Sequence, residues 1–326
     1  MPRPFVEHDK ALEGQVNQVH RARAGFSYAY RTLSVDHMAQ LQEDVDRLRR
    51  AGRLSDNEIY RSYLEDKEFK LPESFPEARS IIVMAVFTRM AKVRLHLDGV
   101  EHDVMIPHQY YDDGITEQDL HQALVEEIVR NADCRIERAK QLHLKLLAVR
   151  SGLGRYGRNN LCYVDGMGSY ITLHAFFTDC RFDRDQWGEI ELLDKCEQCK
   201  VCQKQCPGRC IREENFVIEA GNCVTLYNEI AGEFPAHIPP LAHNALMGCM
   251  RCQLTCPANL EIADTIVRFA DIEEDETHAI LSGTSDKDLI RTLSERLRMF
   301  TPENAAEFLP RLTRNLTALL KSWHAL

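Results

Sequence analysis

The stretch of sequence that decides the fold, CEQCKVCQKQCPGRC, runs from Cys196 to Cys210. Four of its cysteines stand at successive spacings of three, three and four residues: Cys196, Cys199, Cys202 and Cys206. The first three thiolates can wrap a tight loop around three corners of one iron–sulfur cube, whereas the fourth, which precedes Pro207, points toward a second cube. This spacing therefore predicts two 4Fe-4S clusters.

A second cysteine run, MGCMRCQLTCPANL, contains Cys249, Cys252 and Cys256, but Leu246 stands where its first cysteine is expected. Cys223 lies alone between the two runs and is the natural substitute for this missing ligand. It brings the number of predicted ligands to eight. We expect one cluster to be held by Cys196, Cys199, Cys202 and Cys256, and the other by Cys206, Cys223, Cys249 and Cys252.

Zinc sites and packed free thiols are the alternatives to iron–sulfur clusters. Four-ligand zinc sites also use pairs of cysteines separated by two residues, but zinc explains neither the triple spacing nor the two prolines. Cys210 follows the first run, and we expect it to contact a ligand or to pack, rather than to be a ninth ligand. Cys134, Cys162 and Cys180 are expected to be buried as small hydrophobic side chains.

The composition of the whole chain limits its possible size classes and partners. With 326 residues, of which 44% are hydrophobic and 28% charged, the chain is long enough for two modest domains with an ordinary globular composition. The 50 acidic and 40 basic residues give a net charge of −10. This acidity argues against a nucleic-acid partner and leaves only a local basic groove open.

Cysteine usage and hydropathy indicate the compartment. The N-terminal sequence has no apolar signal segment, and the longest strongly apolar run, Ile81 to Phe87, is far shorter than the roughly 20 residues that span a bilayer. We therefore expect no membrane partner and a cytoplasmic location. In that reducing compartment, clustered cysteines are metal ligands or reactive thiols rather than disulfides.

Hydrophobic periodicity predicts an α/β fold for the N-terminal part. Residues 34–52 predict an amphipathic helix, and Ser80 to Phe87 predicts a strand that is buried on both faces. Thr116 starts a capping box for another helix, and a further helix is expected over Ile136 to Arg150. The run GSYITLHAFF, residues 168–177, predicts a strand after a glycine-rich loop.

The C-terminal part is expected to be helical. Leucine spacing predicts two terminal helices, over 289–297 and 312–323, and the acidic run Asp271 to Glu276 is interpreted as a solvated face or a helix start. We expect an α/β (α+β) domain over 1–185, a ferredoxin-like double-cluster module over 186–262 and a C-terminal helical segment over 263–326.

The glycine-rich loop GLGRYGRNN, residues 152–160, is the most distinctive feature outside the cysteine runs. Its glycines allow backbone N–H groups to approach a ligand, and Arg155 and Arg158 supply charge, so that a phosphate- or carboxylate-rich cofactor would fit. The order helix, loop, strand is opposite to that of a dinucleotide-binding fingerprint. A glycine-rich connection without a ligand stays the alternative.

Five stretches, in this order, resemble the epoxyqueuosine reductases: LLAVRSGLGRYGRNNL, GSYITLHAFFTD, CEQCKVCQKQCPGRC, NCVTLYNEIAGEFPAHI and MGCMRCQLTCPANL. The resemblance covers about Ile81 to Leu260 and is most specific in the two cysteine segments. It implies a cobalamin-binding-type domain with a mixed sheet, which holds a cobalamin over the two clusters, as in these enzymes and the related reductive dehalogenases. By resemblance, Cys223 matches the family's isolated ligand, and the cofactor-binding residues would be Gly152, Gly154, Gly157, Arg158, Asn159 and Ser169.

One position departs from the family. These enzymes carry an aspartate proton donor sixteen residues before the second glycine of their GLG motif, where this chain has Arg138. A guanidinium cannot donate a proton at neutral pH, so Arg138 would bind an anion or polarise a leaving group, the alternative being a solvated helix residue. His143 and Tyr110, with Tyr111 or His108, are further candidates for supplying the proton.

The resemblance implies an iron–sulfur, cobalamin-dependent reductase. Its electrons would come from an external low-potential donor of the ferredoxin or flavodoxin type, and we expect a small-molecule substrate other than epoxyqueuosine. Two alternatives stay open: a non-enzymatic 4Fe-4S electron-transfer protein, and a genuine epoxyqueuosine reductase that acts on tRNA.

Overall fold

The structure is a computed structural model, and it describes residues 5–6, 18–213 and 216–324. Its strands are β1 (Phe5–Val6), β2 (His20–Arg21), β3 (Ser27–Ser34), β4 (Ser80–Phe87), β5 (Ala91–Leu97), β6 (Val100–Ile106), β7 (Ile136–Arg138), β8 (Arg155–Tyr156), β9 (Cys162–Tyr163), β10 (Ile171–Thr178), β11 (Arg181–Phe182) and β12 (Val267–Arg268). Its α-helices are α1 (Met38–Arg50), α2 (Glu58–Glu65), α3 (Glu117–Ala123), α4 (Leu144–Arg150), α5 (Val201–Gln205), α6 (Val224–Glu229), α7 (Arg251–Leu254), α8 (Glu274–Ser282), α9 (Lys287–Leu297) and α10 (Ala305–His324).

The chain divides into two compact units. The α/β unit consists of the described parts of Met1–Phe87, Gly114–Cys199 and Glu213–Val217, and the cysteine-rich unit of Thr88–Asp113, Lys200–Arg212 and Ile218–Leu326. Each unit is assembled from three separate segments of sequence, whereas the domains expected above, 1–185, 186–262 and 263–326, are consecutive.

A five-stranded sheet forms the centre of the α/β unit. Its strand order is β2-β3-β4-β10-β7, and every neighbouring pair is antiparallel. The central strand β4 is the predicted strand of residues 80–87, and its side chains are buried along almost its whole length. Alternate side chains of β4 therefore enter two different cores, which is why the sequence lacks a polar face there.

Helices cover both faces of this sheet. Ile81 and Val83 pack in one core with residues of α1 and α4, and Ile82 and Met84 pack in another with residues of α3. The amphipathic helix expected over 34–52 is confirmed as α1 and the 3-10 turn before it. The predicted capping box at Thr116 is also confirmed, because the Thr116 and Asp119 side chains each accept the other residue's backbone N–H.

The helix expected over Ile136 to Arg150 is wrong in its first half. Residues 136–138 form the edge strand β7, which pairs with the end of β10, and only 144–150 are helical, as α4. The local apolar pattern fits either structure, and pairing with β10 decides between them. Arg138 is therefore a strand residue, not a helix residue.

The same strand pairing overturns the expectation for two cysteines. Ile136 lies opposite Thr178, and continuing this antiparallel register by two residues places Cys134 opposite Cys180. The two cysteines form a disulfide with their Cα atoms 5.7 Å apart, rather than packing as separate small side chains. Cys162 is a buried thiol, as expected.

A smaller sheet and the last helices build the core of the cysteine-rich unit. Its order is β12-β5-β6, with β12 parallel and β6 antiparallel to β5, so this sheet is mixed. The two predicted terminal helices are confirmed as α9 and α10, and Glu273 caps α8 at the acidic run. None of the helices in the described part of the chain is long and apolar enough to cross a membrane.

Candidate iron–sulfur and cofactor site

Both cysteine runs contain a short helix that ends near a proline. In the cysteine-rich unit, Cys202 lies in α5 and Cys206 follows that helix, while Cys252 lies in α7 and Cys256 comes two residues after it. The ψ angles of Cys206 and Cys256 are 112° and 123°, because a following proline disfavours the helical conformation of the residue before it. The last cysteine of each run therefore lies outside its helix.

Gly208 allows the first run to meet the segment that carries the isolated cysteine. A Cβ atom on Gly208 would lie 1.8 Å from the carbonyl oxygen of Asn222, so a side chain there would force the two backbones apart. Cys223 follows Asn222 and precedes α6. The sequence predicts that Cys223 completes a ligand set with this run, which requires the two segments to lie close together. The close approach of their backbones meets that requirement.

Three sulfur atoms gather at this crossing. The Sγ atoms of Cys206 and Cys210 are 3.4 Å apart, and the backbone N–H of Cys210 donates to Cys206 Sγ at 3.4 Å. A hydrogen bond also joins the Cys210 thiol to Cys223. Mainly through these Cys210 thiol bonds, the pKa of Cys206 falls to about 6 and that of Cys223 to about 7. Lower pKa values favour the thiolate form that an iron ligand needs.

The pKa of the Cys210 thiol changes in the opposite direction. The hydrogen bonds to Cys206 and Cys223, followed by burial, raise its pKa well above the ordinary thiol value. The Cys210 side chain therefore keeps its proton at pH values where the Cys206 thiol has lost its own. This is the behaviour expected of a thiol that contacts ligands without being one.

The second run contributes Cys249, which is held by a residue that the sequence analysis missed. Asn244 donates its side-chain N–H to Cys249 Sγ at 3.2 Å and accepts the backbone N–H of Met250 at 2.8 Å. Burial raises the pKa of Cys249, and the Asn244 bond opposes that rise. The thiols of Cys206 and Cys223 are close enough to act on Cys249 electrostatically. The structure thus brings three of the four ligands predicted for the second cluster together, and Cys252 packs with Cys206 and Cys223 in the same side-chain cluster.

In the α/β unit, the backbone of the first cysteine of the run is bonded to the glycine-rich loop. Cys196 ends a 3-10 turn, and Cys199 is the last residue of the segment Gly114–Cys199 of this unit. Arg158 donates to the carbonyl oxygen of Cys196 at 2.6 Å and to that of Glu213 at 2.8 Å. Arg158 was predicted to contact a cofactor, and here its guanidinium holds the backbone of a predicted cluster ligand.

The glycine-rich loop is shaped largely by its own hairpin, β8–β9. A Cβ on Gly154 would lie 2.6 Å from Cys162 Sγ, and one on Gly157 would lie 2.5 Å from Asn159 Oδ1. These two glycines are therefore needed for close packing of the chain against itself. Gly152, at φ +70°, has no atom within 4 Å of its Cβ position, so among the three it is the one that lies next to open space.

The remaining residues predicted to bind the cofactor are also held in place. Asn159 is buried and donates its side-chain N–H to the Tyr163 hydroxyl at 2.9 Å, and Ser169 is buried. Lys145 donates to the backbone and side-chain oxygens of Asn160 at 3.0 Å each. Side-chain hydrogen bonds thus hold the second half of the loop, and Gly152 lies next to open space at its start.

Arg138 is the centre of a second polar group in the α/β unit. Its guanidinium donates to Glu117 Oε2 at 2.6 Å and to Nδ1 of His174, and it lies over the Phe176 ring at 5.4 Å. Burial, followed by the charge of Arg138, lowers the pKa of His174 to about 4. At neutral pH the imidazole is therefore uncharged and accepts the guanidinium N–H. His174 was missed by the sequence analysis, because it sits in a strand of apolar residues.

Two of the other predicted proton donors, His143 and Tyr110, lie in different units and have structural partners. In the α/β unit, His143 caps α4 through Nδ1, which accepts the backbone N–H of Leu146 at 3.3 Å, and burial lowers its pKa to about 4. In the cysteine-rich unit, Tyr110 donates its hydroxyl to Glu229, and its ring packs against Gly248. Burial, then Glu229, raises the pKa of Tyr110 well above its ordinary value. Their catalytic roles stay predictions.

Comparison with known proteins supports the assignment of the cysteine region. Residues 195–259 match a family described as a 4Fe-4S double cluster binding domain. This match covers both cysteine runs and Cys223. It confirms the prediction of two 4Fe-4S clusters, and the gathered thiols of Cys206, Cys223 and Cys249 are donors of the kind that such clusters require.

Sequence relatives of this chain include epoxyqueuosine reductases. One from Aliivibrio fischeri is 32% identical over 149 residues, which are 45% of this chain and 37% of that protein. One from Staphylococcus aureus is 27% identical over 244 residues, which are 71% of this chain and 63% of that protein. The chain thus matches less than two thirds of the length of either relative.

The fold has solved counterparts as well. The structure of epoxyqueuosine reductase from Streptococcus thermophilus has a TM-score of 0.60 and 18% identity, and covers 90% of this chain and 77% of that one. An epoxyqueuosine reductase solved with a modified tRNA stem loop has the same TM-score and identity. At this identity the match establishes the fold, and the predicted resemblance is confirmed at that level.

Proposed function

We propose that this protein is a reductase that takes electrons from an external low-potential donor, passes them through two 4Fe-4S clusters and reduces an electrophilic small molecule with the help of a bound cobalamin. The observation that carries the proposal is the occurrence, in one chain, of a double cluster domain and the fold of the epoxyqueuosine reductases. A ferredoxin needs only a small part of this length, so the α/β unit is left to provide the reaction site.

The ligand sets proposed for the clusters are those of the sequence analysis. Cys206, Cys223, Cys249 and Cys252 would hold the second cluster. The packing of Cys206, Cys223 and Cys252 in one side-chain cluster, and the electrostatic effect of Cys206 and Cys223 on Cys249, support this set. The set proposed for the first cluster is Cys196, Cys199, Cys202 and Cys256.

The cobalamin proposal draws on the fold and on one local feature. When bound, a cobalamin would supply low-valent cobalt for reduction of an electrophile. Gly152 leaves open space at the start of the glycine-rich loop, so the backbone there can approach a large ligand closely. Gly154, Gly157, Arg158 and Asn159 would act indirectly, because their contacts keep the hairpin and the Cys196 backbone in place.

Arg138 supports a substrate different from epoxyqueuosine. A guanidinium does not donate a proton in proteins. His174 stays neutral at neutral pH, so neither side chain supplies a proton as a carboxylic acid would. The Arg138 side chain is 24% exposed, whereas its partner Glu117 is 71% exposed. Exposed ion pairs contribute about 0–1 kcal/mol, so a substrate anion could displace Glu117 while His174 keeps the guanidinium oriented.

A second candidate function is epoxyqueuosine reduction on tRNA. It is favoured by the names of the relatives and by the neighbour solved with a tRNA stem loop. Under this alternative Arg138 would contact the nucleic acid or be a structural residue, and a proton donor would have to come from elsewhere. The net charge of −10 argues against it.

The deciding experiment is an anaerobic turnover assay of the cluster-loaded protein with a reduced dye as donor, with and without added cobalamin. Epoxyqueuosine is compared with a panel of small carboxylates and halogenated aromatic acids. We expect turnover in the panel, dependent on cobalamin, and loss of it in Arg138→Gln. Arg135→Gln is the matched control, since Arg135 is a nearby arginine that pairs with Glu77 and Glu137 instead. Full turnover of epoxyqueuosine would refute the substrate proposal, and failure to bind cobalamin would refute the cofactor proposal.

A further inference from the structure

Cys210 is the one cysteine near the proposed second cluster that the ligand count does not use. It lies four residues after Cys206 and is 4% exposed. Its neighbours in the same side-chain cluster include Ile211 and Ile218, so its surroundings are apolar apart from the other thiols. A buried thiol among ligand thiols requires an explanation, because a packing role alone could be filled by alanine or valine.

The geometry places Cys210 against two proposed ligands. Its Sγ lies 3.4 Å from Cys206 Sγ, and its thiol is also hydrogen bonded to Cys223. Its backbone N–H donates separately to Cys206 Sγ at 3.4 Å. Cys210 therefore makes two hydrogen bonds to Cys206, one through its thiol and one through its backbone N–H. Only the thiol bond depends on the Cys210 side chain.

The position of Cys210 has little freedom. Gly208, two residues before it, is in such close contact with Asn222 that even a methyl group there would overlap the carbonyl oxygen. The backbone of Cys210 is tied at its other side by the hydrogen bond from the N–H of Glu219 to the Cys210 carbonyl, at 2.8 Å. The thiol is thus fixed beside Cys206 by the backbone on both sides.

A ligand role for Cys210 does not fit this arrangement. Eight cysteines already supply four thiolates to each of two cubes, and each iron of a cube takes one thiolate. The Sγ atoms of Cys206 and Cys210 are at hydrogen-bonding distance, so one donates to the other. Two ligands on different irons of one cube would instead be held apart. A thiol that donates to a ligand sulfur withdraws negative charge from it, and this matters most when the cluster carries an extra electron.

We propose that Cys210 is a positioning residue that donates its S–H hydrogen bond to the ligand sulfur of Cys206, stabilises the reduced form of the second cluster and so raises its reduction potential. The inference rests on the proposed ligand set that contains Cys206 and Cys223. Hydrogen bonds to the sulfur atoms are one of the factors that set the potential of a 4Fe-4S cluster.

The test is a potentiometric titration of the full-length, anaerobically reconstituted protein, followed by electron paramagnetic resonance. In Cys210→Ala the backbone N–H bond to Cys206 Sγ remains and only the thiol bond is lost. We expect one of the two cluster potentials to become more negative, with a roughly tenfold smaller equilibrium constant for one-electron reduction, or about 59 mV. The other potential should not move.

Two further variants make the outcome decisive. Cys210→Ser keeps a donor in the same place and should keep the potential near that of the unmodified protein. Ile211→Val changes packing in the same cluster without changing a donor, and should leave both potentials unchanged. An unchanged potential in Cys210→Ala, or an equal shift in all three variants, would overturn the inference, as would loss of a cluster in Cys210→Ala or Cys210→Ser. Iron content of the unmodified protein well below eight per chain would instead refute the proposed ligand set.

Discussion

Arg158 donates a hydrogen bond of 2.6 Å to the carbonyl oxygen of Cys196, and this bond joins the glycine-rich loop to the first cysteine of the cluster-binding run. The other arm of the same guanidinium donates to the carbonyl oxygen of Glu213 at 2.8 Å. One planar, permanently charged group therefore holds three segments of the α/β unit together, a task to which arginine is suited by its fixed fork of donors.

Replacing Arg158 should weaken the first cluster selectively. Hydrogen bonds to charged groups contribute about 1.5–3 kcal/mol, so Arg158→Ala should lower the free energy of unfolding by about that amount. Iron content should fall from about eight toward four per chain if the Cys196 backbone loses its anchor. Iron analysis and thermal unfolding under anaerobic conditions measure both effects.

Arg155 provides the matched control for this variant. Its partners Asp165 and Asp194 are exposed, so Arg155→Ala should change stability by less than about 1 kcal/mol and leave the iron content intact. Equal iron loss in both variants would contradict the specific role of the Arg158–Cys196 bond.

The second cluster should depend on Gly208. A methyl group at this position would lie 1.8 Å from the Asn222 carbonyl oxygen, so Gly208→Ala must separate the segments that carry Cys206 and Cys223. We expect loss of about four irons per chain with the other cluster still visible by electron paramagnetic resonance. Gly188→Ala is the control, because a Cβ there meets nothing closer than 4.0 Å. A Gly208→Ala protein with a full iron complement would show that the crossing is not required.

The isolated cysteine offers a more direct test of the ligand set. Cys223→Ala should remove one cluster and leave the other spectroscopically present, because four ligands are needed for each. Cys162→Ala removes a buried thiol of the α/β unit and should keep the full iron content. Iron near eight in Cys223→Ala would mean that another residue is the eighth ligand.

The cysteine sites could be predicted from the sequence because their chemistry fixes their spacing. A loop around a cube requires thiolates at short, regular intervals, and Cys196, Cys199 and Cys202 show that pattern without any knowledge of the fold. The central strand β4 was predictable for a similar reason, since burial on both faces requires a run of apolar residues. Local sequence therefore sufficed where one physical constraint acted on neighbouring residues.

Other features were set by contacts between distant segments. Residues 136–138 became a strand because β10 pairs with them, and the same register joined Cys134 to Cys180. The bonds of Asn244 to Cys249 and of His174 to Arg138 leave no spacing signal, because each depends on where the backbone places a single side chain. Such partners become visible only once the fold is known.

His143 should make stability depend on pH. Its folded-state pKa is about 4 against an ordinary value of 6.5, so the unfolded state binds the proton more readily. Its contribution is therefore fully present above about pH 6.5 and is lost as the pH falls toward 4, by about 3 kcal/mol in total. His143→Asn can keep the helix cap while removing the titrating group. Unfolding measured from pH 7 to pH 4.5, with iron content checked at each pH, should show a shallower loss in the variant, and parallel profiles would contradict this.

The pairing of Arg138 with Glu117 leads to a prediction about ligand binding. Because Glu117 is mostly exposed and competes for the guanidinium, Glu117→Gln should make Arg138 more available to an anion. We expect small carboxylates such as benzoate to bind about two- to fivefold more tightly to Glu117→Gln, the range that an exposed ion pair allows. Calorimetric titration of the cluster-loaded protein measures the change. Glu126→Gln is the control, since Glu126 is a partly exposed carboxylate of the same unit that pairs with Arg23. Arg138→Gln should abolish the gain in the double variant, and tighter binding that persists without the guanidinium would place the anion elsewhere.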